Sequence, residues 1–482
     1  MYLPYKLICM RRGLLLLLFS VFIYFTGAAQ NFTPDVRKFI RTDAPVIALT
    51  DAKLIDGTGK PARLHQTVIL MNGRITEVGA AAQVTVPAGA QVISCTGKTV
   101  IPGLVMLHEH LYYTMFLDRF FNISEMSSTF AKMYLAGGST TIRTAGSIEP
   151  QTDLAIKRMI GEGKLVGPDM DVTAPYIERP GYDIPALNTI KDSAEAAATV
   201  AFWANKGCTS FKMYMHALPQ DLQAVVREAH KRGLKVTGHL CTITYREAAD
   251  LGIDNLEHGF MASSDFDTAK QVNEFDYPVA ARALQQLDVN SPKIQSLIRH
   301  LVSKKVALTS TLPVFEPNTG REKVLGGGEE ALIPQVSETV TARWQNSQHH
   351  DSVSQALFKK NMVWEKQFHD AGGLLVAGTD PTGSGRTLAG YGSRREIELL
   401  VEAGFTPVQA IRITSLNGAI YLGRDKETGT VEKGKSADLV IINGDLESDI
   451  KNIRNMETVF KKGVGFDSKA IFESVKGKVG LN

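Results

Sequence analysis

With 482 residues, 44 % of them hydrophobic and 21 % charged, the chain has the composition of a folded protein able to bury a large core. Its length suits roughly two to four domains, or one large barrel with an attachment. Net charge is +3 and no run of Lys and Arg stands out, so a nucleic-acid partner is not expected.

Lys6, Arg11 and Arg12 precede Gly13 to Phe25, an almost wholly apolar run of about 13 residues, and Thr26-Gly27-Ala28-Ala29 follows. A charged start, a short apolar run and small residues at its end form the layout of a secretory signal peptide. The run is short of the roughly 20 residues that span a bilayer. Residues 1–29 are therefore expected to be cleaved on export to the periplasm or beyond, with a retained membrane anchor as the competing reading. Contact with a membrane is expected only through this signal. Cys9 lies before the apolar run and does not read as a lipid-attachment site. The remaining cysteines are Cys95, Cys208 and Cys241, with no CxxC, so a cysteine metal site is not expected.

Within residues 30–98, the N-terminal β-part, residues 30–44 are polar and read as a flexible lead-in, and the chain from Val46 reads as a small β-module without a helix. Val46 to Thr50 runs into the turn cluster Asp56-Gly57-Thr58-Gly59. Thr67 to Met71 ends at Asn72-Gly73, a strong hairpin signal, and Arg74 to Gly79 alternates as the partner strand. Gln91 to Cys95 reads as a further strand. Over residues 99–420 short apolar runs alternate with helical stretches. Expected strands are Val100–Met106, Thr140–Arg143, Met170–Ala174, Thr209–Tyr214, Leu234–Gly238, Asn255–His258, Val306–Thr309 and Leu374–Gly378. Among the helices, Leu222 to Arg232 carries Leu222, Val225, Val226 and Ala229 at helical spacing. Eight such units are the count of an α/β fold of the (β/α)8 TIM-barrel type, and a doubly wound open sheet is the alternative. Residues 421–482 return to β-texture, with Ala437 to Ile442 as a buried strand and Thr458 to Gly463 as another. The economical solution is one small β-sandwich domain built from both chain ends.

The chemistry-bearing residues gather at strand ends. His108 and His110 follow the apolar run Ile101 to Leu107, and positions i and i+2 of a strand share a face. His239, His258 and Asp380 each close an apolar strand, and Lys212 lies in Thr209–Tyr214. The carboxyl ends of barrel strands carry active sites. Isolated buried charges there are costly, so their convergence on one mouth is best explained by a shared metal centre.

These pieces resemble the amidohydrolase superfamily. The matching motifs are Val100-Ile101-Pro102-Gly103-Leu104 before His108 and His110, Asn255-Leu256-Glu257-His258-Gly259 and Ala377-Gly378-Thr379-Asp380. Gly404-Phe405-Thr406-Pro407 and Gly434-Lys435-Ser436-Ala437-Asp438 follow in the same order. The likeness spans Val46 to Gly463, and the nearest branch looks imidazolonepropionase-related and prolidase-like. The resemblance implies His108 and His110 as ligands of a first metal, and His239 and His258 as ligands of a second. It makes Asp380 a ligand that also moves protons and Lys212 an N-carboxylated bridge. The cofactor is then two divalent ions, with zinc as the expected metal, although Mn²⁺ and Fe²⁺ accept the same ligands. Two departures stand out. Members usually carry Asp two residues before the first His, where this chain has Met106. Deaminase-like members carry Glu three residues after the strand-5 His, where this chain has Thr242.

Tyr214 shares a face with Lys212 and is a candidate donor to a substrate carbonyl. Arg143 is a candidate partner of a carboxylate of substrate or protein. His216 reads as a loop residue. His349 and His350, and Arg386, Arg394 and Arg395, read as solvated. Ser263 to Val302 and Gly326-Gly327-Gly328 are expected to form part of a lid. The expected reaction is hydrolysis of a C–N bond in a small molecule such as a dipeptide or N-acyl amino acid, with Asp380 shuttling the proton of metal-activated water. The rival readings are a mononuclear hydrolase of a cyclic amide or amidine, and a non-catalytic binding protein on the same fold. A homo-oligomer is neither required nor excluded.

Overall fold

The computed structural model describes residues 31–480 apart from 118–119, 182–186, 269–273, 322–326, 348–351 and 383–385. The expected signal peptide and the pair His349 and His350 lie outside the described residues. Among the described residues no helix is long and apolar enough to cross a membrane.

Eight parallel strands position the site. They are β1 (Leu104–Glu109), β2 (Ser139–Thr144), β3 (Asp169–Asp171), β4 (Ser210–Met213), β5 (Lys235–Gly238), β6 (Asn255–Leu256), β7 (Ala307–Ser310) and β8 (Leu375–Ala377). Each is short and, apart from β3, almost wholly buried, as parallel strands covered on both faces must be. Their ladder is not one continuous ring. β1 to β3 form a three-stranded sheet, and β4 to β8 form a second, extended by the short strands Ile177–Glu178 and Asn188–Thr189. Backbone hydrogen bonds run between the two. Ala174 N–H donates to Ser210 O at 2.9 Å, and Thr379 and Asp380 N–H donate to His108 O at 3.1 and 2.9 Å. Helix Pro219–Lys231 follows β4 and buries Leu222, Val225, Val226 and Ala229, the stripe expected from its spacing.

The expected first strand is divided in two. Lys98–Pro102 belongs to a different sheet, and β1 starts only at Leu104. Pro102 has no N–H to continue a ladder. Gly103 lies against the side chain of Thr140, which any Cβ there would strike.

Both chain ends build one mixed, nine-stranded sheet instead of two stacked ones. Leu439–Asn443 from the C-terminal segment lies antiparallel to Lys98–Pro102, with Leu439 opposite Pro102 and Asn443 opposite Lys98. Val46–Leu54 pairs with the other edge of Lys98–Pro102. Ile47, Leu49, Val68, Leu70, Val100, Leu439, Ile441 and Phe460 share one apolar cluster, so N- and C-terminal residues bury the same face. Arg63–Met71 turns into Arg74–Ala80 through Asn72 and Gly73, at φ 50° and 78°. That left-handed pair is the two-residue hairpin expected for Asn-Gly.

Candidate metal centre

All six residues singled out from strand ends meet in one buried cluster. The imidazoles of His108 and His258 have ring centroids 4.5 Å apart, those of His258 and His239 4.5 Å, and those of His108 and His110 5.4 Å. Lys212 Nζ donates to His108 Nε2 at 3.4 Å. Asp380 Oδ1 lies 3.3 Å from His110 Nε2, and its Oδ2 lies 3.8 Å from His108 Nε2 and 3.9 Å from His258 Nδ1. Among these, the ligand atoms of His108, His110 and Asp380 all lie within 4.8 Å of one another. His258 and Asp380 hold left-handed backbone, φ 70° and 50°, a conformation that non-glycine residues adopt at a cost and that clusters at functional sites. Gly378, one residue past β8, admits His108 at a position where a Cβ would collide with it.

The environment fixes which ring nitrogens are free. His108 Nδ1–H donates to Glu257 Oε2 at 2.7 Å, and His110 Nδ1–H donates to the Gly146 carbonyl at 3.1 Å. Burial, reinforced by Lys212, pushes His108 down to about 4, so the ring is neutral at ordinary pH. Burial, again with Lys212, pushes His239 down to about 3. A neutral ring that donates from Nδ1 carries a lone pair on Nε2. His110 Nε2 therefore turns its lone pair towards Asp380 Oδ1, while the lone pair of His108 Nε2 accepts from Lys212 Nζ with Asp380 Oδ2 3.8 Å away. Acceptors facing acceptors at such distances repel, and a cation between them removes the conflict. The donor set thus fits a divalent metal bound by nitrogen and oxygen.

Sequence reasoning missed Glu257 as a working residue. It is fully buried on the segment between β6 and His258, and besides the His108 bond it accepts from Arg143 Nη2 at 2.6 Å and from Thr237 Oγ1. Burial alone would raise Glu257, and Arg143, His108 and Lys212 together outweigh it and hold the carboxyl well below the usual range. Arg143 also donates to Leu107 O at 2.7 Å and Asn255 Oδ1 at 3.0 Å, so its carboxylate partner is the protein's own. Glu257 supplies the ring-orienting carboxylate that Met106 cannot. The available signal was a charged residue at the end of an apolar strand, one position before a histidine.

Tyrosines line one side. Tyr214 lies beside His239 with ring centroids 5.3 Å apart, and beside Tyr176 at 4.9 Å. Lys212 Nζ stands 5.2 Å from the Tyr176 centroid. Tyr112, two residues past His110 on the same face, shares a 2.5 Å hydroxyl contact with Tyr176.

Other expectations are corrected. Arg395 is buried and holds Glu316 through two bonds of 2.7 and 3.0 Å, and its Nη1 reaches Glu398 at 2.5 Å. Arg394 is buried against the rings of Tyr391 and Phe472. Arg386 is buried too and donates to Asn318 Oδ1 at 3.3 Å. None of the three is solvated; Arg394 and Arg395 lie on helix Tyr391–Glu402, which buries nearly every residue of its first three turns. His216 stands beside Glu178, with Nδ1 3.5 Å from Oε2. Thr242 donates to Ala217 O at 2.5 Å, a structural bond with no acid in its place. Cys95, Cys208 and Cys241 are buried and free.

Comparison with known proteins agrees with this geometry. The imidazolonepropionase of Vibrio cholerae serotype O1 is 23 % identical over 411 residues, 82 % of this chain and 92 % of that protein. A solved Bifidobacterium longum structure described as a prolidase superposes with a TM-score of 0.64 at 23 % identity, covering 89 % of this chain and 98 % of its own. A Xaa-Pro dipeptidase with methionine bound in its active site gives 0.64 at 18 % identity, covering 88 % and 100 %. Likeness at this identity establishes the fold. The amidohydrolase family profile matches residues 99–465, a span that contains every residue of the cluster and the C-terminal strands of the shared sheet as far as residue 465, and the chain belongs to that family of hydrolases acting on C–N bonds.

Proposed function

We propose that the protein is an exported hydrolase that cleaves the amide or peptide bond of a small substrate, a dipeptide or N-acyl amino acid, at a two-metal centre. One observation carries the reading. Four histidines, Asp380 and Lys212 converge in one space in which the lone pair of His110 Nε2 faces the Asp380 carboxylate.

In this reading the eight parallel strands close a barrel. The bonds from Thr379 and Asp380 to His108 O, and from Ala174 to Ser210 O, support that closure. Residues 99–420 form its body and the two chain ends form the attached β-domain. His108, His110 and Asp380 would hold one ion, and His239 and His258 would hold the other. Lys212 would serve both in its N-carboxy form, because an ammonium would repel the ions whereas a carbamate offers two anionic oxygens. Zinc is the ion of choice for such a donor set.

When bound, such ions lower the pKa of a coordinated water from about 15.7 towards 7 and polarise the scissile carbonyl. The chain does the rest. Asp380 accepts the proton of the attacking water and returns it to the leaving nitrogen, help worth about 10²–10⁴-fold. Glu257 and the Gly146 carbonyl hold His108 and His110 in the tautomer that leaves Nε2 free. Tyr214, at the rim beside His239, donates to the carbonyl oxygen. Among the described residues the cluster includes no serine or cysteine nucleophile, so attack by water is the natural chemistry.

A second reading, a one-metal hydrolase of a cyclic amide or amidine, draws on the Vibrio cholerae relative and on the tight ligand set that, among the described residues, only His108, His110 and Asp380 form. Metal analysis together with turnover of dipeptides, N-acyl amino acids, lactones and cyclic ureas separates the two. Two ions and amide cleavage support the proposal, and one ion with turnover confined to cyclic amidines overturns it.

A further inference from the structure

An apolar cup lies beside the centre and takes no part in the ligand cluster. It encloses about 220 Å³ and is walled by Met261, Ala281, Phe315 and Leu357, with Asn318 and Arg282 on its polar side. Phe315 stands edge-on to His258, with ring centroids 5.7 Å apart. Met261 N–H donates to His258 O at 3.0 Å, so this wall is fixed to the turn that carries a candidate ligand. Ala281 and Arg282 come from helix Tyr277–Gln286, and Leu357 from helix Ser352–Asp370. Lys360 Nζ donates to Leu287 O at 2.6 Å and ties these two walls together.

Size and chemistry define the occupant. The cup is smaller than the roughly 300–1,000 Å³ of sites that enclose a whole drug-sized ligand, so it suits one side chain. Its apolar walls disfavour a polar group that finds no partner there. Arg282 is exposed at the cup, and no ion pair of its guanidinium is found among the described residues. An apolar cup with a free guanidinium matches an α-amino acid, whose side chain and carboxylate leave the same carbon.

We propose that the cup receives the apolar side chain of the leaving amino acid and that Arg282 meets its carboxylate. The substrates are then dipeptides or N-acyl amino acids ending in a residue the size of leucine, methionine or phenylalanine. This rests on the reading of the centre as an amide hydrolase.

The test has a binding arm and a kinetic arm. Calorimetry on the metal-loaded protein should show leucine binding at least tenfold more tightly than glycine or leucinamide, with the difference from leucinamide lost in Arg282→Gln. In kinetics, glycyl-leucine should exceed glycyl-glycine in kcat/KM by tenfold or more, within the 10–200-fold that a few methylenes bring in an apolar pocket. Ala281→Leu, which fills the cup, should erase that preference, with thermal melting as the check on folding. Arg282→Gln, a surface change, should raise KM for glycyl-leucine about tenfold and leave glycyl-leucinamide unchanged. Amide cleavage with no side-chain preference, or a preference untouched by both variants, overturns the cup while the hydrolase reading stands. Selective leucine binding that depends on Arg282, with no amide cleaved, upholds the cup and overturns the hydrolase reading.

Discussion

Glu257→Gln removes one charge and keeps the shape, which makes it the sharpest probe of how the centre is held. The carboxylate accepts from Arg143, Thr237 and His108 with no solvent access. A glutamine offers one acceptor oxygen and one NH₂ in its place. Whichever way the amide turns, its NH₂ faces a donor, either Arg143 or His108. If it faces Arg143, a buried guanidinium loses its counter-charge, and breaking a buried pair costs about 3–5 kcal/mol. If it faces His108, the ring loses the bond that sets its tautomer. Loss of such a supporting bond lowers metal affinity about 10–100-fold, or roughly 1.4–2.7 kcal/mol. Metal titration followed by calorimetry, with thermal melts of metal-free protein, reads both quantities. The acid dependence has a definite sign. Glu257 is held well below its usual range in the folded protein, so its contribution is present above an unfolded value of about 4.3 and is lost as pH falls through the folded one. A Glu257→Gln protein with unchanged metal affinity and unchanged melting would refute the reasoning.

Four further outcomes are expected. Lys212→Ala should lower metal content and activity, with partial rescue by short carboxylic acids; full activity and unchanged metal content would exclude a bridging role. Metal-free protein should lose stability as pH falls from about 6.5 towards 4, because the unfolded chain protonates histidines that the folded chain keeps neutral, His108 down to about 4; a flat denaturation midpoint over that range would contradict this. A chain ending at Leu422 should aggregate, because Leu439–Asn443 lies between Lys98–Pro102 and Met456–Lys461 inside the shared sheet; a soluble, active product would count against the shared sheet as a folding requirement. Secreted material should begin at Gln30 on N-terminal sequencing, and a soluble cytoplasmic protein with its first 29 residues intact would remove the export proposal.

The site was readable where chemistry broke an apolar pattern. His108, His110, His239, His258, Lys212 and Asp380 each interrupt or close a buried run, and a buried polar group needs a partner, so their convergence could be anticipated from strand order alone. Glu257 was quoted within its motif yet not weighed, because its partners Arg143 and Thr237 lie 114 and 20 residues away along the chain. Arg394 and Arg395 were misread for a related reason. Two adjacent arginines in a helix look solvated until Glu316, 79 residues before Arg395, supplies that residue's counter-charge and the rings of Tyr391 and Phe472 cover Arg394. The shared sheet was legible as strands needing a partner face. That it forms one continuous nine-stranded ladder depended on the break at Pro102 and Gly103, where a proline and a tight contact with Thr140 divide what reads as a single strand.

Release of free amino acid from dipeptides and N-acyl amino acids, measured on one preparation before chelation, after chelation and after zinc is restored, tests the central claim most directly. The account predicts release that chelation abolishes and zinc restores, and that Asp380→Asn lowers about 10²–10⁴-fold in kcat without loss of fold. Amide cleavage that survives complete metal removal, or turnover of lactones and cyclic amidines by zinc-loaded protein with no amide cleaved, would contradict it.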